Sequence, residues 1–380
     1  MASDLDLPSP AFCIDLERLQ ANCARMLALG VPLRPHVKTS KCVEVARLMT
    51  GGGALGVVCS TLRECEHFAD AGFTDILYGV PLEPSKLPRA LALRQRLPAL
   101  HLALMLDGPE GLAALEASLA PRQAAGAPVS VWVAIDCGYG REGARHDAPG
   151  TLALLAAVHA SPHAALAGLY SHSGDSYNCA GGRSGAAAVG SQELARMGAL
   201  AAAAAARGVP VPALSLGATP SVCSGSPWQQ LPGVRVEVHP GNYAFFDRQQ
   251  VASGSCALED CAVYVLARVC GVYRERNAIL LDAGACALHK DAGGLSTWGC
   301  LRDDPNMVVT KLTQEVAVVS SADGSAIDFE RYALGSAVRV LVNHSCMTAA
   351  MFEVYHVTTQ GGGGGGARAV VDAWRPCKWW

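Results

Sequence analysis

An α/β barrel followed by an all-β domain is the fold predicted for this 380-residue chain. Three observations predict it. Eight short apolar, β-branched runs alternate with longer helical patterns over the first two thirds of the chain. The helical pattern stops near Ser253, and strand-like runs separated by turns take over. The length accommodates one barrel of roughly 200–250 residues and a further domain.

The strand candidates are Arg34–Thr39, Gly56–Thr61, Asp75–Val80, His101–Asp107, Val129–Asp136, Ala165–His172, Ala213–Ala218 and Val234–His239. Segments between them, such as Leu62–Ala71 and Gln192–Arg207, carry helical spacing. Periodicity alone permits an open doubly wound sheet as well; a count of eight favours a closed parallel (β/α)8 barrel. Beyond Ser253, strand-like runs cover Val263–Tyr273, Ala278–Asp282, Gln314–Ser320, Ala337–Leu341 and Val370–Trp374, with Gly, Asp and Asn in the turns. Residues 15–250 are therefore assigned to the barrel, and 251–380 with 1–14 to the β domain. The glycine run Gly361–Gly366 reads as a loop tip.

Composition narrows the function classes. Hydrophobic residues make up 51% and charged residues 17%, which supports a large core and excludes global disorder. The net charge of -3 offers no basic excess to grip a phosphate backbone, so no nucleic-acid partner is expected. No apolar run reaches the ~20 residues of a membrane span. The start, MASDLDLPSP, has no basic or apolar leader pattern, and a cytoplasmic location is expected. The fifteen cysteines are scattered without CxxC spacing. They read as reduced thiols rather than as a metal or redox module.

Catalytic groups of such barrels collect at the C-terminal strand ends. Those ends offer Lys38, Ser60, Thr61, Asp136, Arg141, His172, Thr219 and Asn242. Lys38 lies within RPHVKTSK, an expensive place for a buried cation unless a Schiff base with an aldehyde cofactor neutralises it. The turns LGATPS (216–221) and HPGNY (239–243) follow the last two strands, where barrel phosphate sites are often built. In NHSCMT, His344 and Cys346 stand two apart. On a strand they would share a face and could clamp one metal, with positions left open for water or substrate.

Together these motifs carry a family likeness. AFCIDLERLQANCARM and RPHVKTSK resemble the opening of alanine racemase-like, fold type III pyridoxal phosphate enzymes. DCGYGREG, GLYSHSGDSY, LGATPS, EVHPGNYAFFD, LLDAGA and NHSCMTAAMF are similar to the metal-activated branch with D-threonine aldolases and eukaryotic-type D-serine dehydratases. The likeness runs from about residue 8 to residue 357. It implies a pyridoxal phosphate barrel with a C-terminal β domain, in a homodimer. It implies that Lys38 carries the cofactor as a Schiff base, and that Arg141 lies against its ring and 3-oxygen. Tyr170 would partner the pyridine nitrogen. Thr219, with backbone groups of Gly217 and Ala218, and Gly241 with Asn242 would hold the phosphate. His172 would face the substrate hydroxyl, and His344 and Cys346 would bind a divalent metal (Zn, Mn or Mg).

The implied substrate is a 3-hydroxy D-amino acid, and the implied activity is that of a lyase. Two outcomes share one constellation. Cleavage of Cα–Cβ makes it a D-threonine aldolase giving glycine and acetaldehyde; loss of the hydroxyl makes it a D-serine dehydratase giving pyruvate and ammonia. Aldolases of this branch tend to read His-x-Asp at the metal and dehydratases His-x-Cys, the form found here. A thiolate donates charge to the metal and weakens its help to a departing hydroxide, and on that ground the aldolase is placed first. A racemase would need a second acid/base, such as Tyr264, Tyr273 or Tyr332, on the other substrate face. A non-catalytic pyridoxal phosphate protein would have no use for the β domain.

Overall fold

The computed structural model describes residues 2–53, 56–120, 127–226, 228–361 and 366–380. Of the glycine run, residues 362–365 lie outside the described residues. The chain divides into two compact units. One comprises Leu27–Gly241 with Trp379–Trp380, the other Met1–Met26 with Asn242–Lys378.

In the first unit seven strands pair in parallel, each with the next. They are Val57–Cys59, Asp75–Pro81, His101–Leu106, Val129–Asp136, Ala164–Tyr170, Ala213–Leu216 and Arg235–Val238. A two-residue strand, Ala144–Arg145, pairs beside Val129–Asp136. The expected first strand, Arg34–Thr39, is not one. Leu33 makes a single parallel bridge to Val238 and His36 one to Val58, so an irregular segment links the outermost strands. Pro32 and Pro35 are the reason: neither has an N–H to donate, and a regular ladder fails between them. The chain then turns through 37–40, and Lys41 takes a φ of 51°. Lys38 thus lies in a turn and not on a strand.

Side chains alternate between two packed layers, as the strand period of two requires. Val58, Leu77, Ala103, Met105, Trp132 and Ala134 form one buried cluster. Their neighbours Val57, Cys59, Ile76, Leu102, Leu104, Val131 and Val133 join another with the helices. The buried Arg34 binds Glu237 Oε1 and Asp75 Oδ2, both at 2.8 Å. Those bonds tie the irregular segment to the neighbouring strand Arg235–Val238 and, past Val57–Cys59, to Asp75–Pro81. Helix Leu62–Asp70 starts where sequence chemistry dictates: Thr61 Oγ1 caps the Glu64 N–H, and the buried Glu64 carboxylate accepts from the Ser60 N–H at 2.8 Å.

The second unit is a closed antiparallel barrel of six strands. In spatial order they are Val263–Tyr273, Ala278–Leu281, Ala317–Ser321, Asp304–Leu312, Gly299–Leu301 and Ala337–Val342, which pairs back to the first. The Gly299–Leu312 hairpin was not expected from the sequence, because DDPN and Lys311 hide its alternation. Strand Ala11–Asp15 adds to Val263–Tyr273 on one side and to Tyr355–Gln360 on the other, and Arg368–Trp374 follows. Among the described residues no disulfide joins any of the fifteen cysteines, and eight of them are buried. No helix among the described residues is long and apolar enough to cross a membrane.

Candidate active site

The first unit gathers a cradle around Lys38. The turn after the proline segment places Lys38 N–H 3.4 Å from His36 Nδ1. His36 and His239 are buried and His172 is partly buried, and each is held well below the ordinary histidine range. Burial is the main cause, and the Lys38 charge is next for each of the three. Arg141 adds to it in all three. The histidines are neutral, and the cations are Lys38 and Arg141.

Tyr170 closes its strand and stacks on His239, ring centres 4.1 Å apart and 12° from parallel. Burial pushes the Tyr170 hydroxyl above its ordinary value, so it is a donor and not an anion. Ser215 Oγ lies 2.9 Å from His239 Nδ1, and His239 Nε2 is buried without a partner. Arg141 and His172 line one recess with Tyr139, Tyr170 and Ser171. Arg141 is fixed by a two-bonded pair with Glu142 and lies 5.7 Å from the Tyr139 ring centre.

The 216–221 turn is the second part. Gly217 has a φ of +91°, a conformation that favours glycine, and an added Cβ would stand 2.8 Å from Val222. Its N–H donates to Glu193 Oε2 at 3.0 Å, and the Ala218 N–H donates to Ser221 Oγ at 3.0 Å. Both of these N–H groups, expected at the phosphate, are therefore already engaged, Gly217 by a residue of helix Gly182–Ala205 and Ala218 within the turn. Thr219 Oγ1 is buried without a partner. Gly241 serves close approach: a Cβ there would fall 2.4 Å from the His36 carbonyl oxygen.

These observations suit pyridoxal phosphate. A lysine sits among neutral histidines, a stacked Tyr170–His239 pair offers a flat wall, and Thr219 Oγ1 and His239 Nε2 are buried polar atoms awaiting partners.

The second unit holds the other predicted residues. Strand Ala337–Val342 ends before His344, which stands at the N-terminal edge of helix Ser345–Ala350. The shared strand face expected for His344 and Cys346 is thus replaced by a helix first turn, which still joins them by a hydrogen bond. His344 Nδ1 lies 2.5 Å from Asp291 Oδ2, so Nε2 is the nitrogen that would meet a metal. Burial alone would lower the His344 pKa; Cys346, Asp247 and Asp291 outweigh it and carry the group up to about 10. Asn242, expected at the phosphate, has its amide donors elsewhere: on Asp247 Oδ2 at 2.8 Å, Ser345 Oγ at 3.0 Å and Cys346 Sγ at 3.5 Å.

Among the described residues no set of three or more His, Cys, Asp or Glu is arranged to hold a metal. One imidazole backed by a carboxylate, plus one thiolate, suits a borderline ion such as zinc with open positions.

Residues 14–249 match the family model "Alanine racemase, N-terminal domain", and residues 262–358 match "Putative serine dehydratase domain". The chain is 33% identical over 397 aligned positions to D-serine dehydratase of Dictyostelium discoideum, covering 99% of this chain and 98% of that protein. It belongs to the alanine racemase-like, fold type III family of pyridoxal phosphate enzymes. Within that family, D-threo-3-hydroxyaspartate dehydratase of Delftia sp. (strain HT23) is 39% identical over 92% of this chain and 94% of its own. The solved structure of that enzyme superposes with a TM-score of 0.89 at 36% identity, covering 100% of both chains. D-threonine aldolase of Arthrobacter sp. is more distant, at 28% identity over 88% of this chain and 85% of its own. The relatives are pyridoxal phosphate-dependent lyases, and so is this fold type III enzyme.

The sequence reading missed His36, His239 and Glu193. Two of them stand inside quoted motifs, RPHVKTSK and EVHPGNY. Glu193 lies in an ordinary helical pattern, and only its burial marks it.

Proposed function

We propose that this enzyme is a dehydratase of 3-hydroxy D-amino acids, converting D-serine or D-threo-3-hydroxyaspartate to the 2-oxo acid and ammonia with pyridoxal phosphate and a divalent metal. The observation that carries it is the 39% identity, along nearly the whole chain, to a dehydratase, against 28% to an aldolase. This reverses the order given by the thiolate argument. The Asn242 amide donates to Cys346 Sγ. That bond draws charge from the sulfur and so preserves the acidity of a metal bound there.

When bound, pyridoxal phosphate supplies an electron sink for the pair left at Cα, and the metal supplies Lewis acidity toward a hydroxyl leaving group. Lys38 holds the cofactor and moves the Cα proton. Arg141, Tyr170 and His239 orient the ring, and Thr219 with its turn takes the phosphate. His172, neutral and partly buried, hands a proton to or from the substrate oxygen. His344 Nε2 and Cys346 Sγ hold the metal. The enzyme works as a homodimer in the cytoplasm.

The test is product analysis with D-serine, D-threo-3-hydroxyaspartate and D-threonine. The expected result is equimolar 2-oxo acid and ammonia from at least one substrate, without glycine. Glycine and an aldehyde as the main products would overturn the proposal in favour of the aldolase.

A further inference from the structure

We propose that Glu193 is a positioning residue that acts through Gly217: from helix Gly182–Ala205 it fixes the 216–221 turn in the shape that receives the cofactor phosphate. The inference rests on the reading of that turn as the phosphate site. Glu193 is 2% exposed, and its Oε2 accepts the Gly217 N–H at 3.0 Å. That contact sets the one residue of the turn whose positive φ favours glycine. No other side chain of the helix holds the turn by a described hydrogen bond.

A carboxylate behind a phosphate site is the wrong charge, since two anions in a buried space repel. The surroundings resolve the conflict. Facing Glu193 are Asp175 after the Ala164–Tyr170 strand, the Tyr170 hydroxyl, the Cys137 thiol after Val129–Asp136, and the hydroxyls of Ser171 and Ser173. The nearest cation on its own helix, Arg196, is turned to the Cys137 carbonyl. Among the described residues no cation is paired with the carboxyl, and Asp175 opposes its ionisation. Glu193 Oε1 and Ser171 Oγ are both buried without a partner, and a proton on Oε1 makes it a donor for that hydroxyl. Burial first, aided by Asp175, outweighs the Ser171 and Ser173 hydroxyls and the Gly217 N–H, which favour the carboxylate, and raises the group to about 8. Glu193 thus serves as a neutral acid at neutral pH, and loses that character just above it.

Binding of a dianionic phosphate favours the protonated acid, so affinity falls as pH rises through the titration. The test follows loss of pyridoxal phosphate from the holoenzyme by equilibrium dialysis between pH 7 and 9.5, for the parent and Glu193→Gln. The glutamine keeps an acceptor for Gly217 and a donor for Ser171 but does not titrate. Expected is a parent Kd that climbs above about pH 8 by up to tenfold per unit relative to the variant. With pyridoxal, which lacks the phosphate, the difference disappears. Parallel pH profiles for parent and variant would overturn the inference. Thr219→Val separates the two layers: weaker binding of pyridoxal phosphate but not of pyridoxal supports the phosphate turn itself, and unchanged binding of both overturns that reading and this inference with it.

Discussion

Asp291→Asn should loosen the metal while leaving the cofactor in place. Asp291 Oδ2 lies 2.5 Å from His344 Nδ1, and the acidic group is held below its ordinary range, with the His344 hydrogen bond offsetting the cost of burial. The carboxylate accepts only, so it pins the proton on Nδ1 and leaves the Nε2 lone pair for the metal. An asparagine can accept or donate. When its amide donates to Nδ1, the ring proton moves to Nε2 and the ligand is lost. The carboxylate charge also raises imidazole basicity, and the amide does not. Losing such an outer partner weakens metal affinity by about 10–100-fold, or about 1.4–2.7 kcal/mol. Asp291 is partly exposed, and screening pulls the effect toward the lower end. The assay is competition for zinc against a chelating indicator, with the visible absorption of the cofactor recorded on the same sample. The expected result is a raised zinc Kd, an unchanged cofactor band, and turnover restored by excess metal. Zinc affinity equal to the parent's would refute the reasoning.

His172→Asn should keep the cofactor spectrum and lose turnover by roughly 10²–10⁴-fold, the usual worth of a positioned acid or base; near-parent turnover would leave His172 a structural role only. Burial, Lys38 and Arg141 hold the parent's His172 well below the ordinary histidine value. The neutral form is therefore complete above that range, and any rise of activity with pH owed to this group ends below about pH 6.5, read from a pH–rate profile. Gly241→Ala forces a Cβ to within 2.4 Å of the His36 carbonyl oxygen, and overpacking of this kind costs about 1–3 kcal/mol. A Tm lower by a few degrees, with reduced cofactor occupancy from the displaced Lys38 turn, is the expected calorimetric and spectroscopic result.

Most of the first unit was legible because its strands are short apolar runs closed by polar residues, and seven of the eight expected segments are strands. The eighth failed on a local rule, the two prolines at 32 and 35, although its bridges still place it between the right neighbours. The pairing of His344 with Cys346 was legible as spacing, but its backbone was not. Two residues apart means one face on a strand and a tight turn at a helix start, and NHSCMT has no periodicity long enough to decide. His36 and His239 were visible and unread, since a single histidine in an apolar segment is usually a packed one. Glu193 could not have been found: a glutamate in a helix reads as solvent-facing, and its burial depends on the turn folded against it. That the Asn242 side-chain amide turns to Asp247, Ser345 and Cys346 was not legible in HPGNY, because those partners lie far along the chain.

Strand Ala11–Asp15 takes an inner place in the second unit, hydrogen-bonded on one side to Val263–Tyr273 and on the other to Tyr355–Gln360. Its partners are made late. At ~5–20 residues per second a ribosome needs on the order of 10–50 s to pass from the one strand to the first of the others. The all-apolar face of AFCID therefore waits, unpaired, while Leu27–Gly241 of the first unit emerges and can fold. The order of synthesis thus makes the parallel unit the first to mature and leaves the antiparallel one to complete around a segment held in reserve. Nascent chains arrested before residue 263 would present that strand to chaperones, and those extended past residue 360 would not.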